Sequence, residues 1–131
     1  MTQHYGIDTS ILVRLVTGDP EDRFDDCVEK LTDLVEKGSA VFASNQVIGE
    51  AYIVLQHHYG LDKASSWEGL SQVLKSGLVR PLNGLEVFPI LSFAHGCGLL
   101  DRLIANDYAH RNLGVLTLDK KMAALDQSFL L

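Results

Sequence analysis

The chain has 131 residues, of which 47% are hydrophobic and 21% charged, and its formal net charge is −6. This composition can bury one core, so we expect a single domain over residues 1–131, and no apolar run is long enough to predict a membrane span. The acidic balance argues against a protein that holds nucleic acid through a general basic surface. The start MTQHYGID has no secretory pattern, which predicts a cytoplasmic protein.

Short apolar runs alternate with segments of helical periodicity along the chain. Strands are predicted at residues 4–7, 40–43, 85–88 and 115–118. Helices are predicted from Asp8 to Gly18, from Asp19 and Pro20 to Gly38, from Ser44 or Asn45 to Gly60, from Asp62 to Gly77 and from about Leu100 to Asn112, with one or two turns after Pro89. This alternation is typical of an α/β protein with a mainly parallel sheet flanked by helices.

Two of the predicted strands end on an aspartate that has a hydroxyl residue two positions away. Asp8 ends the first strand and has Ser10, while Asp119 ends the last strand and has Thr117. The carboxyl ends of parallel strands share one sheet edge, so the two aspartates can meet in one crevice. Clustered carboxylates need a compensating charge, and a set of oxygen ligands favours Mg²⁺ or Mn²⁺.

Each acidic residue also has an ordinary structural interpretation. Asp8 can be a plain helix N-cap, Glu50 a surface glutamate beside a buried face, and Asp101 the cap of its helix. Asp119 can begin a turn. Asp107 lies on a different helical face from Asp101 and is left out of the predicted site.

Three stretches together resemble one family: IDTSILVRL at the start, SNQVIGEAYIVL around Glu50, and GLLDRLIANDYAHRNLGVLTLDKKM around Asp101 and Asp119. In this order they resemble a PIN-domain ribonuclease, specifically a VapC-type toxin of a type II toxin–antitoxin system. The resemblance covers nearly the whole chain and implies a single PIN-like domain, a three-layer α/β/α sandwich around a central, mainly parallel sheet. It also implies that Asp8, Glu50, Asp101 and Asp119 form the catalytic, metal-binding cluster, with Asp8 and Asp101 as the first candidates for direct ligands.

The implied activity is Mg²⁺- or Mn²⁺-dependent hydrolysis of RNA phosphodiesters by water, which leaves a 5′-phosphate and a 3′-hydroxyl. Thr9, Ser10 and Thr117 would orient the carboxylates, and Glu50 or Asp119 could orient the water. The basic residues near the acids could bind flanking phosphates or could be solvated surface charge; they are Arg14, Arg102, Lys120 and Lys121. Tyr52 and Trp67 could stack on bases, although their helical spacing favours the core.

The resemblance also implies partners: an RNA substrate, a small cognate antitoxin whose tail covers the acids, and a second copy of the chain in a homodimer.

Two rival functions remain open. A metal-free ribonuclease would use two opposed histidines, but the adjacent His57 and His58 point about 100° apart on a helix. A non-catalytic phosphoryl-receiver module would place an acidic pair beside the first strand, where this chain has only Asp8. The isolated Cys27 and Cys97 argue against a zinc site or a disulfide framework.

Overall fold

The computed structural model describes residues 2–92 and 97–131. The chain divides into two compact units, the first ending at Leu82 and the second spanning Asn83–Leu131. The strands of the first unit are β1 (Tyr5–Gly6), β2 (Val41–Ala43) and β3 (Arg80–Pro81), and its helices are α1 (Thr9–Thr17), α2 (Glu21–Glu36), α3 (Asn45–His57) and α4 (Lys63–Lys75). The second unit contains α5 (Val87–Ser92), α6 (Leu99–Ala109), β4 (Val115–Thr117), α7 (Lys120–Ala123) and β5 (Ser128–Leu130).

The first unit is a three-stranded sheet in the order β1-β2-β3 with helices packed on it. Both strand pairings are parallel, with Tyr5 opposite Val41 and Phe42 opposite Arg80. Helices α1, α3 and α4 contact one another. Their facing side chains form the core, and the largest of those that are fully buried are Leu12, Ile48, Leu55 and Leu70.

Capping groups in the sequence fix where these helices begin and end. Ser44 accepts a hydrogen bond from the Val47 N–H at the start of α3, and Asp62 does the same for Ser65 at the start of α4. Helix α1 ends at Gly18, whose φ of 68° lies in the left-handed region that glycine tolerates best. The sequence predicts that the next helix starts with Asp19 as its cap and Pro20 as its first residue. That cap was wrong, because Pro20 occupies the N-cap position of α2 and makes no side-chain cap.

The second unit is built on a two-stranded sheet, in which β4 and β5 run parallel with Val115 opposite Ser128. Helix α5 packs on α6, and α7 packs on both strands. Buried apolar side chains form its core: Val87, Leu91, Leu99, Leu103, Val115 and Met122. Because all three described strand pairings are parallel and helices flank them, the predicted α/β class is confirmed.

The predicted strand at residues 85–88 was wrong. Leu85 is 77% exposed and lies in a turn, while Val87 begins α5 and is fully buried together with Leu91 on the same helical face. Pro89 is tolerated because it lies in the first turn, where the backbone N–H has no helical partner. A four-residue apolar run does not distinguish a strand from a helix turn. The turns predicted after Pro89 are described only as far as Ser92, and residues 93–96 lie outside the described ranges.

The helices within the described ranges are too short or too polar to cross a membrane. The expectation of one domain over residues 1–131 stays a prediction.

Candidate active site

Asp8 lies between β1 and α1 and is the N-cap of α1. Its Oδ1 accepts a 2.6 Å hydrogen bond from the Ser10 hydroxyl and a 3.3 Å bond from the Ile11 N–H. The Ser10 bond, followed by the Ile11 bond, lowers the pKa of this exposed carboxyl below its usual value. The lowered pKa keeps the carboxylate ionised, and both of these bonds end on Oδ1.

Glu50 is exposed on α3 and is held by two side chains. The Thr9 hydroxyl donates a 2.6 Å hydrogen bond to Oε2, and the Gln46 amide donates a 3.3 Å bond to Oε1. The Thr9 bond is the larger cause of a lowered Glu50 pKa, and the Gln46 bond is the smaller one. Two consecutive residues at the start of α1, Thr9 and Ser10, therefore orient two different carboxylates.

Asp119 is the N-cap of α7 in the second unit. Its Oδ1 accepts a 2.7 Å bond from the Lys121 N–H and a 3.3 Å bond from the Met122 N–H. The Thr117 hydroxyl oxygen accepts a 3.0 Å bond from the Asp119 backbone N–H. Thr117 thus positions the main chain of Asp119, whereas Ser10 bonds directly to the carboxylate of Asp8.

Asp101 lies half-buried in the first turn of α6, whose N-cap is Gly98. The alternative that Asp101 caps this helix was therefore wrong. Burial raises the pKa of the nearby Cys97 thiol, and the negative charges of Asp101 and then Asp119 raise it further, while Arg102 lowers it. The two predicted site carboxylates of the second unit, Asp101 and Asp119, thus lie within electrostatic reach of the same thiol.

The comparison with known families decides the class of the protein. The family model of the PIN domain matches residues 5–127. The chain belongs to the PIN-domain family. None of the curated proteins matches it. PIN domains are generally metal-dependent nucleases, so the chain is a member of a nuclease family and does not belong with the phosphoryl receivers.

The local chemistry of the PIN-domain acids fits a hard divalent cation. Asp8 and Glu50 offer exposed oxygen ligands whose lowered pKa values keep them charged, and oxygen is the donor that Mg²⁺ and Mn²⁺ prefer. The part of the chain that the structure describes contains no group of three or more His, Cys, Asp or Glu side chains that could hold a metal ion.

The basic residues predicted to bind substrate fall into two groups. Lys120 and Lys121 are exposed, and Arg14 is half-exposed on α1. Arg102 differs from the prediction, because it is only 8% exposed and its guanidinium donates a 2.6 Å hydrogen bond to the Ile90 carbonyl. The long side chain of Arg102 ties α6 to α5, a structural role that its sequence position did not indicate.

The other candidate groups take the structural positions that their spacing favoured. Tyr52 is 8% exposed in the core, so its ring is not available to stack on a base, and Trp67 is half-buried on α4. His57 and His58 are exposed at the end of α3. Gln46 was missed as a partner of Glu50, although its i, i+4 spacing on a helix was a usable signal.

Proposed function

We propose that this PIN domain is an Mg²⁺- or Mn²⁺-dependent endoribonuclease and the VapC-type toxin of a toxin–antitoxin pair, acting in the cytoplasm. One observation carries the proposal: adjacent hydroxyl residues, Thr9 and Ser10, hold the carboxylates of Glu50 and Asp8 in fixed, ionised positions. Carboxylates that serve only as surface charge have no need of such support, whereas metal ligands do.

In the proposed site, Asp8 and Asp101 would hold the metal directly, and Glu50 and Asp119 would complete the set. A bound Mg²⁺ or Mn²⁺ would supply the acidification of a water molecule and the neutralisation of charge on the phosphate. Glu50, which the Thr9 and Gln46 bonds keep in one orientation, is suited to accept a hydrogen bond from the attacking water. Asp119, whose Oδ1 is committed to the α7 backbone, is suited to the same task through its other oxygen.

RNA is the proposed substrate, and exposed cations near the acids would contact its phosphates. Lys120 and Lys121 follow Asp119 directly, and Arg14 lies one turn after Ser10 on α1. A chain with a net charge of −6 has no general positive field, so it needs such local contacts. Arg102 is not included, because its guanidinium is buried against the Ile90 carbonyl.

The nuclease proposal is tested by the chemistry of the products. Purified protein is incubated with single-stranded RNA that carries a different label at each end and, separately, with DNA of the same sequence and labels, in Mg²⁺ or Mn²⁺. The proposal predicts cleavage of RNA only, with a 5′-phosphate on the downstream product that a phosphate-dependent 5′ exonuclease then degrades. Products with 2′,3′-cyclic phosphate ends would contradict it, because they arise from attack by the ribose hydroxyl instead of water.

The toxin role adds two protein partners, a small cognate antitoxin and a second copy of the chain. The antitoxin tail would cover the acids and present a basic side chain to them, while the apolar helices before residue 80, with Ile53 exposed on α3, would supply the homodimer surface. Induced expression should arrest growth with the natural chain but not with Asp8→Asn. Light scattering should give twice the mass of one chain, and the mass of one chain would contradict the dimer.

A further inference from the structure

An open groove of about 360 Å³ runs from the start of α1 to the end of α3 within the first unit. It begins at Thr9 and Ser10, the residues that hold Glu50 and Asp8, and it ends at His58 and Tyr59. Ligand pockets generally hold about 300–1,000 Å³, so the groove has room for a single nucleotide. Because Thr9 and Ser10 line the groove and also hold the two carboxylates, the groove is continuous with this part of the candidate active site.

Helical spacing explains why the groove follows both helices. On α3, Glu50, Val54 and His58 are separated by four residues each and so lie on one face. On α1, Ser10 and Arg14 have the same spacing. At 1.5 Å per residue, Arg14 lies about 6 Å beyond Ser10 and His58 about 12 Å beyond Glu50. These distances suit a chain of nucleotides that leads away from the acids.

Beyond the two hydroxyl residues, the groove is lined by apolar, cationic and aromatic side chains. Val13 and Val54 provide apolar surface between the two helices. Arg14 forms no ion pair with an acid among the described residues, so its charge is available to a ligand. Asp19 also lines the groove, and it lies beyond the end of α1. It is therefore farther from Asp8 in the sequence than Arg14 is.

Tyr59 is an aromatic side chain that the fold keeps at the surface. It follows α3 in a turn that closes with a 3.0 Å hydrogen bond from the Leu61 N–H to the Leu55 carbonyl. Gly60 makes this turn with a φ of 65°, a conformation that a larger residue adopts with strain. Tyr59 is 42% exposed and lines the same groove as Arg14. An exposed ring together with a cation is the combination that binds single-stranded nucleic acid.

We infer that this groove is a nucleotide subsite for single-stranded RNA, in which Tyr59 stacks on a base and Arg14 contacts the adjacent phosphate, with His58 beside them. The inference rests on the proposed function for its substrate class and adds a base platform outside the acidic residues. The subsite would hold a nucleotide that flanks the scissile phosphate, because the groove starts at the residues that orient the acids.

The test measures RNA binding in a protein that cannot cleave. Asp8→Asn serves as the parent, and the probe is a fluorescein-labelled pool of short, random-sequence single-stranded RNA followed by anisotropy. Tyr59→Ala in this parent should weaken binding by about 5- to 100-fold, the range that loss of one stacked base gives. Tyr59→Phe should bind within about twofold of the parent, because the ring and not the hydroxyl carries the contact.

Arg14→Gln provides an independent readout, since loss of a phosphate contact changes the salt dependence. On the parent, it should reduce the slope of log K against log salt by about 0.7, the value for one phosphate contact on a single strand. Tyr59→Ala should leave that slope unchanged. The matched controls are Tyr108→Ala, which removes a tyrosine that is 45% exposed, and Arg23→Gln, which removes an exposed arginine on α2.

Each outcome separates this inference from the proposed function, because cleavage by the natural chain is measured in parallel. If the natural chain cleaves RNA but Tyr59→Ala and Arg14→Gln bind like their controls, the subsite is refuted and the nuclease proposal stands. If no metal supports cleavage yet binding depends on Tyr59 and Arg14, the subsite stands and the nuclease proposal fails. A parent that does not bind the RNA pool refutes the subsite.

Discussion

The hydroxyl of Thr9 donates a 2.6 Å hydrogen bond to Oε2 of Glu50, 41 residues farther along the chain. This bond connects the first turn of α1 to the second turn of α3. Because Thr9 directly follows Asp8, a single turn of backbone sets the position of one carboxylate and the orientation of another. The bond is also the largest cause of the lowered Glu50 pKa.

Replacement of Thr9 by valine should reduce metal-dependent RNA cleavage by about 10- to 100-fold, the cost typical of losing a group that orients a metal ligand. Valine has nearly the same shape but cannot donate to Oε2, so the fold should be retained. The Glu50 pKa should rise, which NMR titration of its carboxyl carbon in the presence of chelator would show. Thr9→Ser keeps the hydroxyl and should remain active; equal losses in both variants would show that the bond is not responsible.

Asp8 combines an N-cap with a proposed metal ligand, and two substitutions separate these roles. Asparagine caps a helix about as well as aspartate, whereas alanine costs about 1 kcal/mol. Asp8→Asn should therefore keep the free energy of unfolding of the natural chain, and Asp8→Ala should lose about 1 kcal/mol, as measured with urea in chelator. Both variants should be inactive. Substantial cleavage by Asp8→Asn would remove the carboxylate from the mechanism.

Stability should decrease in acid because three carboxylates have lowered pKa values: Asp8, Glu50 and Asp62. A carboxyl whose pKa is lower in the folded chain stabilises it above the unfolded pKa, about 3.9 for Asp and 4.3 for Glu. That contribution is lost as the pH falls through the lower, folded pKa.

Asp62 allows this acid dependence to be measured away from the proposed chemistry. The Ser65 backbone N–H is the main cause of its lowered pKa. Asp62→Asn keeps the cap of α4 but has no charge to titrate, so its free energy of unfolding should fall less steeply between about pH 5 and pH 3 than that of the natural chain. RNA cleavage at neutral pH should not change. Identical pH dependence in the two proteins would refute the assigned pKa shift.

The strongly periodic part of the fold could be predicted from the sequence. The four helices α1 to α4 follow from apolar spacing, and the caps at Ser44 and Asp62 follow from residue type and position. Strand β3, helix α7 and strand β5 were missed because, unlike the equally short β1, β2 and β4, they do not coincide with a mainly apolar run that a capping residue follows. Residues 85–88 do form such a run, before Pro89, and were therefore assigned to a strand.

The candidate site was predictable in its residue types but not in its contacts. The hydroxyl beside each aspartate is visible in GIDTS and LTLDK, yet the partner of Thr9 is 41 residues away and no local spacing names it. Likewise, Arg102 next to Asp101 resembles a phosphate ligand until its burial is known. Tertiary packing, which sequence periodicity does not encode, decides both cases.

Arg102 should matter for stability and not for RNA. Arg102→Ala removes a charged donor from the Ile90 carbonyl, in a part-buried hydrogen bond, and should lower the free energy of unfolding by about 2 kcal/mol in urea denaturation. The exposed Lys120 and Lys121 provide the contrast: their replacement by glutamine should change stability by less than about 0.5 kcal/mol each and weaken RNA binding. An Arg102→Ala protein of unchanged stability would contradict the structural role.

The most direct test of the account is a four-way comparison on labelled total RNA, in which the natural chain and Asp8→Asn are each incubated with Mg²⁺ and with excess chelator. We predict cleavage by the natural chain in Mg²⁺ and in no other arm, with restoration when Mn²⁺ is added to the chelated sample in excess. Cleavage that persists in chelator, or that Asp8→Asn performs equally well, would contradict the assignment of these carboxylates to a metal-dependent ribonuclease.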